Sequence, residues 1–298
     1  MERRLDVQVD NTAIEKQNWI IHKAGEHYDY VFLGSSRVYN QLDASLLESK
    51  INKSCLNLGL SGVGIAEQIL IVELYLENNT AGHILIQLDD YSFNSVTNLS
   101  YPFHDYAYLP HSDNVIVDKH FQSNLPFLKY WTWKIIPNTK YFEFNSRIPA
   151  SRLWSNSNEK REFDEHGSNI LVKHDVSDDK QKEIWKDHSI KGHFIPEPKT
   201  LENLDKLLNL IKERNIPITI YTAPELMVNE NFLELRYGID KRIDSLAVAR
   251  NIQRLRLDHD SIFSNESFFL DKTHLNRSGV DYFTTILGKE ITEKLITN

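Results

Sequence analysis

Tyr28-Asp29-Tyr30-Val31-Phe32-Leu33-Gly34-Ser35-Ser36-Arg37 is an apolar run that stops at a glycine and turns into two serines. A short, nearly continuous apolar segment closed by glycine reads as a strand buried on both faces, which is what a parallel sheet requires. Two further segments have the same form. Ser54 to Leu58 ends at Gly59, and His83 to Leu88 ends at Asp89-Asp90. Between them, Ile65, Ile69, Val72 and Leu76 recur at helical spacing from Val63 to Glu77. The order is β-α-β-α-β, which implies parallel strands joined by right-handed crossovers.

The rhythm returns after residue 200. Thr200 caps a helix with Leu201, Leu204, Leu207, Leu208 and Ile211 at helical spacing, and Ile216 to Tyr221 follows as a strand. A helical region from about Phe232 to Asn251 leads to a last strand near Gln253 to Leu257, and a helix from about Arg277 to Ile296 closes the chain. The expected fold is a three-layer α/β/α, flavodoxin-like, doubly wound parallel sheet of about five strands. Residues 1–298 form one such domain, with an inserted cap at about 95–199 that is rich in aromatics and shows no strand-helix alternation. Within that insertion Trp131 and Trp133 are candidates to line a substrate site, since flat rings bury ligand surface at small entropic cost. The plainer reading for any one of them is that it belongs to the insertion's own small core.

With 34 basic against 42 acidic residues the formal net charge is −8. That disfavours nucleic acid or an anionic membrane surface as the main partner, because both select basic patches. The lone cysteine, Cys55, lies in an apolar run and reads as a buried structural residue. No apolar stretch approaches the roughly 18 residues of a membrane helix, and Met1 to Asp6 lacks a signal peptide's apolar segment. The chain as it stands is expected to be cytoplasmic, or of the cell envelope if a leader or anchor has been removed. The histidines show no metal-ligand spacing, so neither a metal nor a cofactor is expected.

In an open parallel sheet, ligands sit beyond the carboxyl ends of the strands. Ser36, Gly62 and Tyr91 each fall just past a strand end, and Asp271 and His274 precede the last helix. A serine hydroxyl becomes a good nucleophile when an imidazole takes its proton and a carboxylate orients that imidazole. Ser36, His274 and Asp271 are the candidates for those roles. Asp271 or Asn276 would serve equally well as a helix cap. Arg37, in the first turn after Ser36, could steer an anionic substrate group or pair with a surface acid. Gly62-Val63-Gly64 at a helix start also resembles a dinucleotide loop, but Glu67 stands where the third glycine belongs and would repel a pyrophosphate.

These blocks resemble the SGNH, or GDSL-type, hydrolase superfamily. Its Gly-Asp-Ser block is matched by Gly34-Ser35-Ser36, its Asn-x-Gly-x-Ser-Gly block by Asn57 to Gly62, and its Asp-x-x-His-Leu-Asn block by Asp271 to Asn276 with Gly279 following. The resemblance implies Ser36 as nucleophile, with its own N–H and that of Gly62 in the oxyanion hole. The Gly-Ser-Ser form is that of the branch acting on acyl groups of bacterial cell-surface polysaccharides. In the third block the family has Gly-x-Asn-Asp, whereas Leu88-Asp89-Asp90-Tyr91 stands here. Tyr91 then occupies the oxyanion asparagine's place, and its hydroxyl or the Asn94 amide is the expected substitute. The activity implied is ester hydrolysis or acyl transfer on O-acyl, often acetyl, groups of a glycan or small ester. The alternatives are a catalytically silent glycan-binding or assembly protein of the same fold, and a flavin- or nucleotide-binding protein.

Overall fold

The computed structural model describes residues 11–89, 91–93, 105–136, 139–142, 162–170, 198–226, 230–258, 260–271 and 273–296. Five strands, β1 (His27–Leu33), β2 (Cys55–Asn57), β3 (Thr80–Gln87), β4 (Ile218–Thr222) and β5 (Gln253–Arg256), form one sheet in the order β2-β1-β3-β4-β5. Every neighbouring pair is parallel, with Val31 registered between Leu56 and Ile84. This is the flavodoxin-like order, and the strand sequence reverses between β1 and β3. Ser36 therefore leaves the sheet at the switch point, where the crevice of a doubly wound fold opens.

Helices cover both faces because both faces of the central strands are apolar. Val31 and Leu33 of β1 and Ile84 and Ile86 of β3 join one buried cluster with α1 (Asn11–His22), α4 (Ile65–Asn78), α9 (Pro198–Glu213) and α10 (Glu230–Arg250). Tyr30, Phe32 and Leu85 point the other way, onto α3 (Ala44–Ile51) and α11 (Arg277–Ile291). A period of two within each strand, with apolar residues at both phases, thus produces the two outer layers. No helix among the described residues is long and apolar enough to cross a membrane. Cys55 is fully buried, as its apolar neighbours imply.

The segment expected to be an inserted cap is described in part. It contributes α5 (Asp105–Tyr108), α6 (Val115–Asn124), α7 (Phe127–Ile135) and α8 (Thr139–Phe142), together with a loop at 162–170. Tyr106, Tyr108, Val117, Phe121, Tyr130 and Trp133 extend the buried cluster beside α4, so these helices share the core of the sheet domain. Residues 162–170 lie elsewhere, against β2: the Asn57 N–H donates to the His166 carbonyl at 2.8 Å.

Candidate active site

The strand ends are shaped by two glycines. A Cβ on Gly34 would sit 2.5 Å from Val38 Cγ2, and one on Gly59 would sit 2.6 Å from the Tyr39 amide nitrogen. Both places are closed to any side chain, which lets the turn after β1 fold tightly over the end of β2. Ser35 caps the short helix α2 (Ser36–Tyr39), its hydroxyl accepting the Arg37 N–H at 3.4 Å. Asn57 pins the same turn from beneath: its amide donates to the Val38 and Leu42 carbonyls at 2.7 and 3.2 Å, and its Oδ1 accepts the Gly59 N–H at 2.9 Å. Ser36 is left half-buried at the rim.

The other half of the site is a turn before α11. Asp271 Oδ1 accepts the backbone N–H groups of Thr273 and His274, each at 2.8 Å. A bridge between Phe269 and Leu275 closes the turn, and Asn276 caps α11 by accepting the Gly279 N–H at 3.1 Å. Gly279 is needed because a Cβ there would lie 2.3 Å from the Phe268 carbonyl oxygen. Asn276 is thus the helix cap, and Asp271 keeps its second oxygen for the imidazole.

The two halves meet. His274 Nε2 lies 3.0 Å from Ser36 Oγ, and His274 Nδ1 lies 2.8 Å from Asp271 Oδ2 and 3.1 Å from Oδ1. A carboxylate only accepts, so Nδ1 carries the proton and Nε2 offers its lone pair to the Ser36 hydroxyl. Burial pushes the Asp271 carboxyl upward, but the His274 contact and the two backbone N–H groups outweigh it and hold the group well below the usual carboxylate range. Ser36, His274, Gly62, Val63, Ser92 and Thr273 line a cavity of about 170 Å³. Gly62 stands there at φ +74°, a left-handed conformation that glycine adopts without strain.

Two expectations for this site change, and a third falls outside the described residues. Arg37 is among the residues that line the cavity, but its guanidinium is held by two buried carboxylates and is not free to steer a substrate. Its side chain is 3% exposed, with Nη1 2.9 Å from Asp89 Oδ2 and Nη2 2.8 Å from Glu225 Oε2, both carboxylates buried as deeply. Gln87 Nε2 also donates to Asp89, and the Ser35 hydroxyl donates to Gln87 Oε1 at 3.3 Å. The guanidinium thereby ties the turn after β1 to the ends of β3 and β4. Trp133 packs edge-on against Phe121 in the core and Trp131 lies on the surface, 44% exposed, so neither lines the cavity at Ser36. Tyr91 opens a single 3₁₀ turn, Tyr91–Phe93, and Asn94 lies outside the described residues, as does the Tyr91 side chain. Ser92 of the same turn lines the cavity, its N–H and hydroxyl both donating to Asp89 Oδ1.

Gln87, Asp89 and Glu225 escape a reading by motif, and only one left a trace in the sequence. Gln87 interrupts the apolar run Ile84 to Leu88, where a buried amide must have found partners. Among the described residues, no group of three or more His, Cys, Asp or Glu side chains converges as metal ligands would.

The molecule is thus a doubly wound α/β protein with a Ser-His-Asp hydrogen-bond chain at the carboxyl rim of its sheet. No protein-family model and no curated protein matches the chain. Among solved structures it is similar to one described provisionally as a platelet activating factor from Streptococcus pneumonia, at 10% identity and a TM-score of 0.47, covering 95% of this chain and 92% of that one. It is also similar to one described provisionally as a lipolytic protein of the G-D-S-L family from Desulfitobacterium hafniense DCB-2, at 9% identity and a TM-score of 0.41, covering 87% and 97%. What the site can do is decided by its own geometry.

Proposed function

We propose that this protein is a serine-dependent ester hydrolase or O-acyltransferase, working on small acyl groups of a glycan. The hydrogen-bonded line from Ser36 through His274 to Asp271 at the sheet's switch point carries the reading. In this mechanism Ser36 Oγ attacks the ester carbonyl while His274 Nε2 takes its proton, and Asp271 holds the imidazole's tautomer and stabilises the imidazolium. The N–H groups of Ser36 and Gly62 receive the developing oxyanion. His274 then returns the proton to the leaving alkoxide, and an acyl ester remains on Ser36. A water molecule or a sugar hydroxyl, deprotonated by His274, attacks that ester and frees Ser36. The choice between the two acceptors makes the enzyme a hydrolase or a transferase.

A cavity of about 170 Å³ supports a small acyl group such as acetyl, since pockets for drug-sized ligands run to about 300–1,000 Å³. The glycan rests on the resemblance of Gly34-Ser35-Ser36 to the polysaccharide-acylating branch. Turnover of a chromogenic acetyl ester tests the reading. Ser36→Ala should lower kcat by orders of magnitude, up to about 10⁶-fold for a triad serine. Equal turnover by wild type and Ser36→Ala across several acyl esters would sink the enzyme and leave a binding protein.

A further inference from the structure

Gln41 comes five positions after Ser36 and is fully buried. Its backbone belongs to the turn that carries the serine, where the Asn40 N–H donates to the Ser36 carbonyl at 2.7 Å and the Leu42 N–H to the Val38 carbonyl at 3.2 Å. The side chain crosses to the other half of the site. Gln41 Nε2 donates to the carbonyl of Thr273, 232 positions away and immediately before His274. Gln41 Oε1, by contrast, has no hydrogen-bond partner among the described residues. A buried amide with one end unsatisfied costs stability, and a methionine or leucine in its place would carry no such orphan. Core packing therefore does not select glutamine here. What the amide alone supplies is a donor aimed at the turn before α11.

That donor acts on one particular peptide plane. The Thr273 carbonyl and the His274 N–H belong to the same planar group. Gln41 holds its oxygen, while Asp271 Oδ1 accepts its N–H at 2.8 Å. His274 Cα lies at the edge of that plane, so a hold on both sides sets the direction in which the imidazole leaves the backbone. Thr273 is tied to Asp271 Oδ1 a second and third time, by its own N–H at 2.8 Å and its hydroxyl at 3.0 Å. Asp271 thus fixes the plane to its own turn, and Gln41 fixes it to the turn of Ser36. We propose that Gln41 is a positioning residue that sets the reach of His274 to Ser36, 3.0 Å between Nε2 and Oγ. For catalysis the inference rests on the triad reading above, and for the placing of the imidazole it rests on these contacts alone. Exchanging the amide for carbon should leave Ser36 and Asp271 in place and release the Thr273 carbonyl to water, and a misplacement of about 1 Å can cost about 10²-fold in rate.

Gln41→Met keeps an unbranched chain and has no donor, and Gln41→Leu removes the donor with a different shape, so agreement between them excludes a packing fault peculiar to one. Both should lower kcat on a chromogenic acetyl ester by about 10- to 100-fold with KM within about twofold. The thermal midpoint should stay near that of wild type, since the orphaned oxygen leaves with the donor. In a His274→Ala background Gln41→Met should change the residual rate by less than about twofold, because a residue acting only through the imidazole then has nothing to position. One readout needs no turnover. The Nδ1 proton that His274 shares with Asp271 should give a downfield proton resonance, assigned by its loss in His274→Ala, and Gln41→Met should broaden it by exchange with water. Wild-type kcat with an unchanged resonance in both variants would overturn the proposal. So would a fall in kcat that persists in full in the His274→Ala background, or a collapse of the thermal midpoint in both variants, either of which would make Gln41 a residue of the fold alone. A resonance broadened in Gln41→Met, in a protein whose turnover is indifferent to Ser36→Ala, would refute the ester reading and still assign to Gln41 the placing of the imidazole.

Discussion

Replacing Arg37 by methionine keeps most of the side chain's volume and removes its charge from a place that solvent does not reach. In the folded protein the guanidinium lies 2.9 Å from Asp89 and 2.8 Å from Glu225, and all three side chains are 2–3% exposed. Removing one partner of a buried ion pair typically costs about 3–5 kcal/mol, because the remaining charge keeps its desolvation penalty and loses its compensation. Two carboxylates sharing one cation put this site at the upper end. At about 2.1 cal/mol/K per residue, unfolding 298 residues carries roughly 0.6 kcal/mol/K, so the melting temperature should fall by about 5–8 °C. Urea titration and calorimetry would measure it. Arg37→Lys should fall between, since a single ammonium cannot span both acids as the fork does. The decisive variant adds Asp89→Asn and Glu225→Gln to Arg37→Met, which should recover part of the loss by neutralising the stripped acids. A cost below about 1 kcal/mol for Arg37→Met, or no recovery in the triple variant, would refute the clamp.

Asp271→Asn should leave the fold intact and lower kcat by about 10⁴-fold, the usual result of presenting the wrong tautomer; an ester assay beside a thermal melt checks both. Burial lowers the His83 pKa to about 4, against about 6.5 in an unfolded chain. Between those values the unfolded chain binds a proton that the folded one refuses, so stability should fall as pH drops from about 6.5 to about 4, by up to about 3 kcal/mol, and be indifferent to this residue above that window. His83→Gln should remove that part of the slope in urea midpoints taken across the range. Burial also pushes the Cys55 thiol up, and its S–H donates to the Lys53 carbonyl. A thiol reagent should react with it only at the rate of unfolding, and promptly in urea.

The sheet was legible because its strands are apolar at both phases and each halts at a residue that cannot continue it, Gly34 after β1 and Asp89 after β3. The N-terminal helix α1 was not, since Asn11 to His22 carries Lys16 and Gln17 on the side that becomes buried. The candidate site divides in the same way. Ser36, Asp271 and His274 stand in short local patterns, and their meeting at hydrogen-bond distance follows from the rim of a doubly wound sheet. For Arg37 the sequence leaves steering and acid pairing both open, because it gives a charge but not its depth, and the partners lie 52 and 188 positions away, at Asp89 and Glu225. Trp131 and Trp133 were paired by proximity along the chain. On a helix two positions apart they face about 200° from one another, and one entered the core while the other did not.

The loop at 162–170 bears on how the sheet ends. β2 is an outer strand, and an outer strand presents unpaired backbone groups that can recruit another chain. Here the Asn57 N–H is taken by the His166 carbonyl, while the fully buried Lys16 ammonium donates to the carbonyls of Asn57 and Gly167 and lies within about 5 Å of the ring centres of Trp19, Tyr39 and Phe163. Gly167, at φ +86°, approaches so closely that a Cβ would stand 2.3 Å from the Asn57 oxygen. The ladder is therefore terminated at Asn57 by the protein's own chain, and a foreign strand seeking to lengthen the sheet there would first have to displace a caged cation.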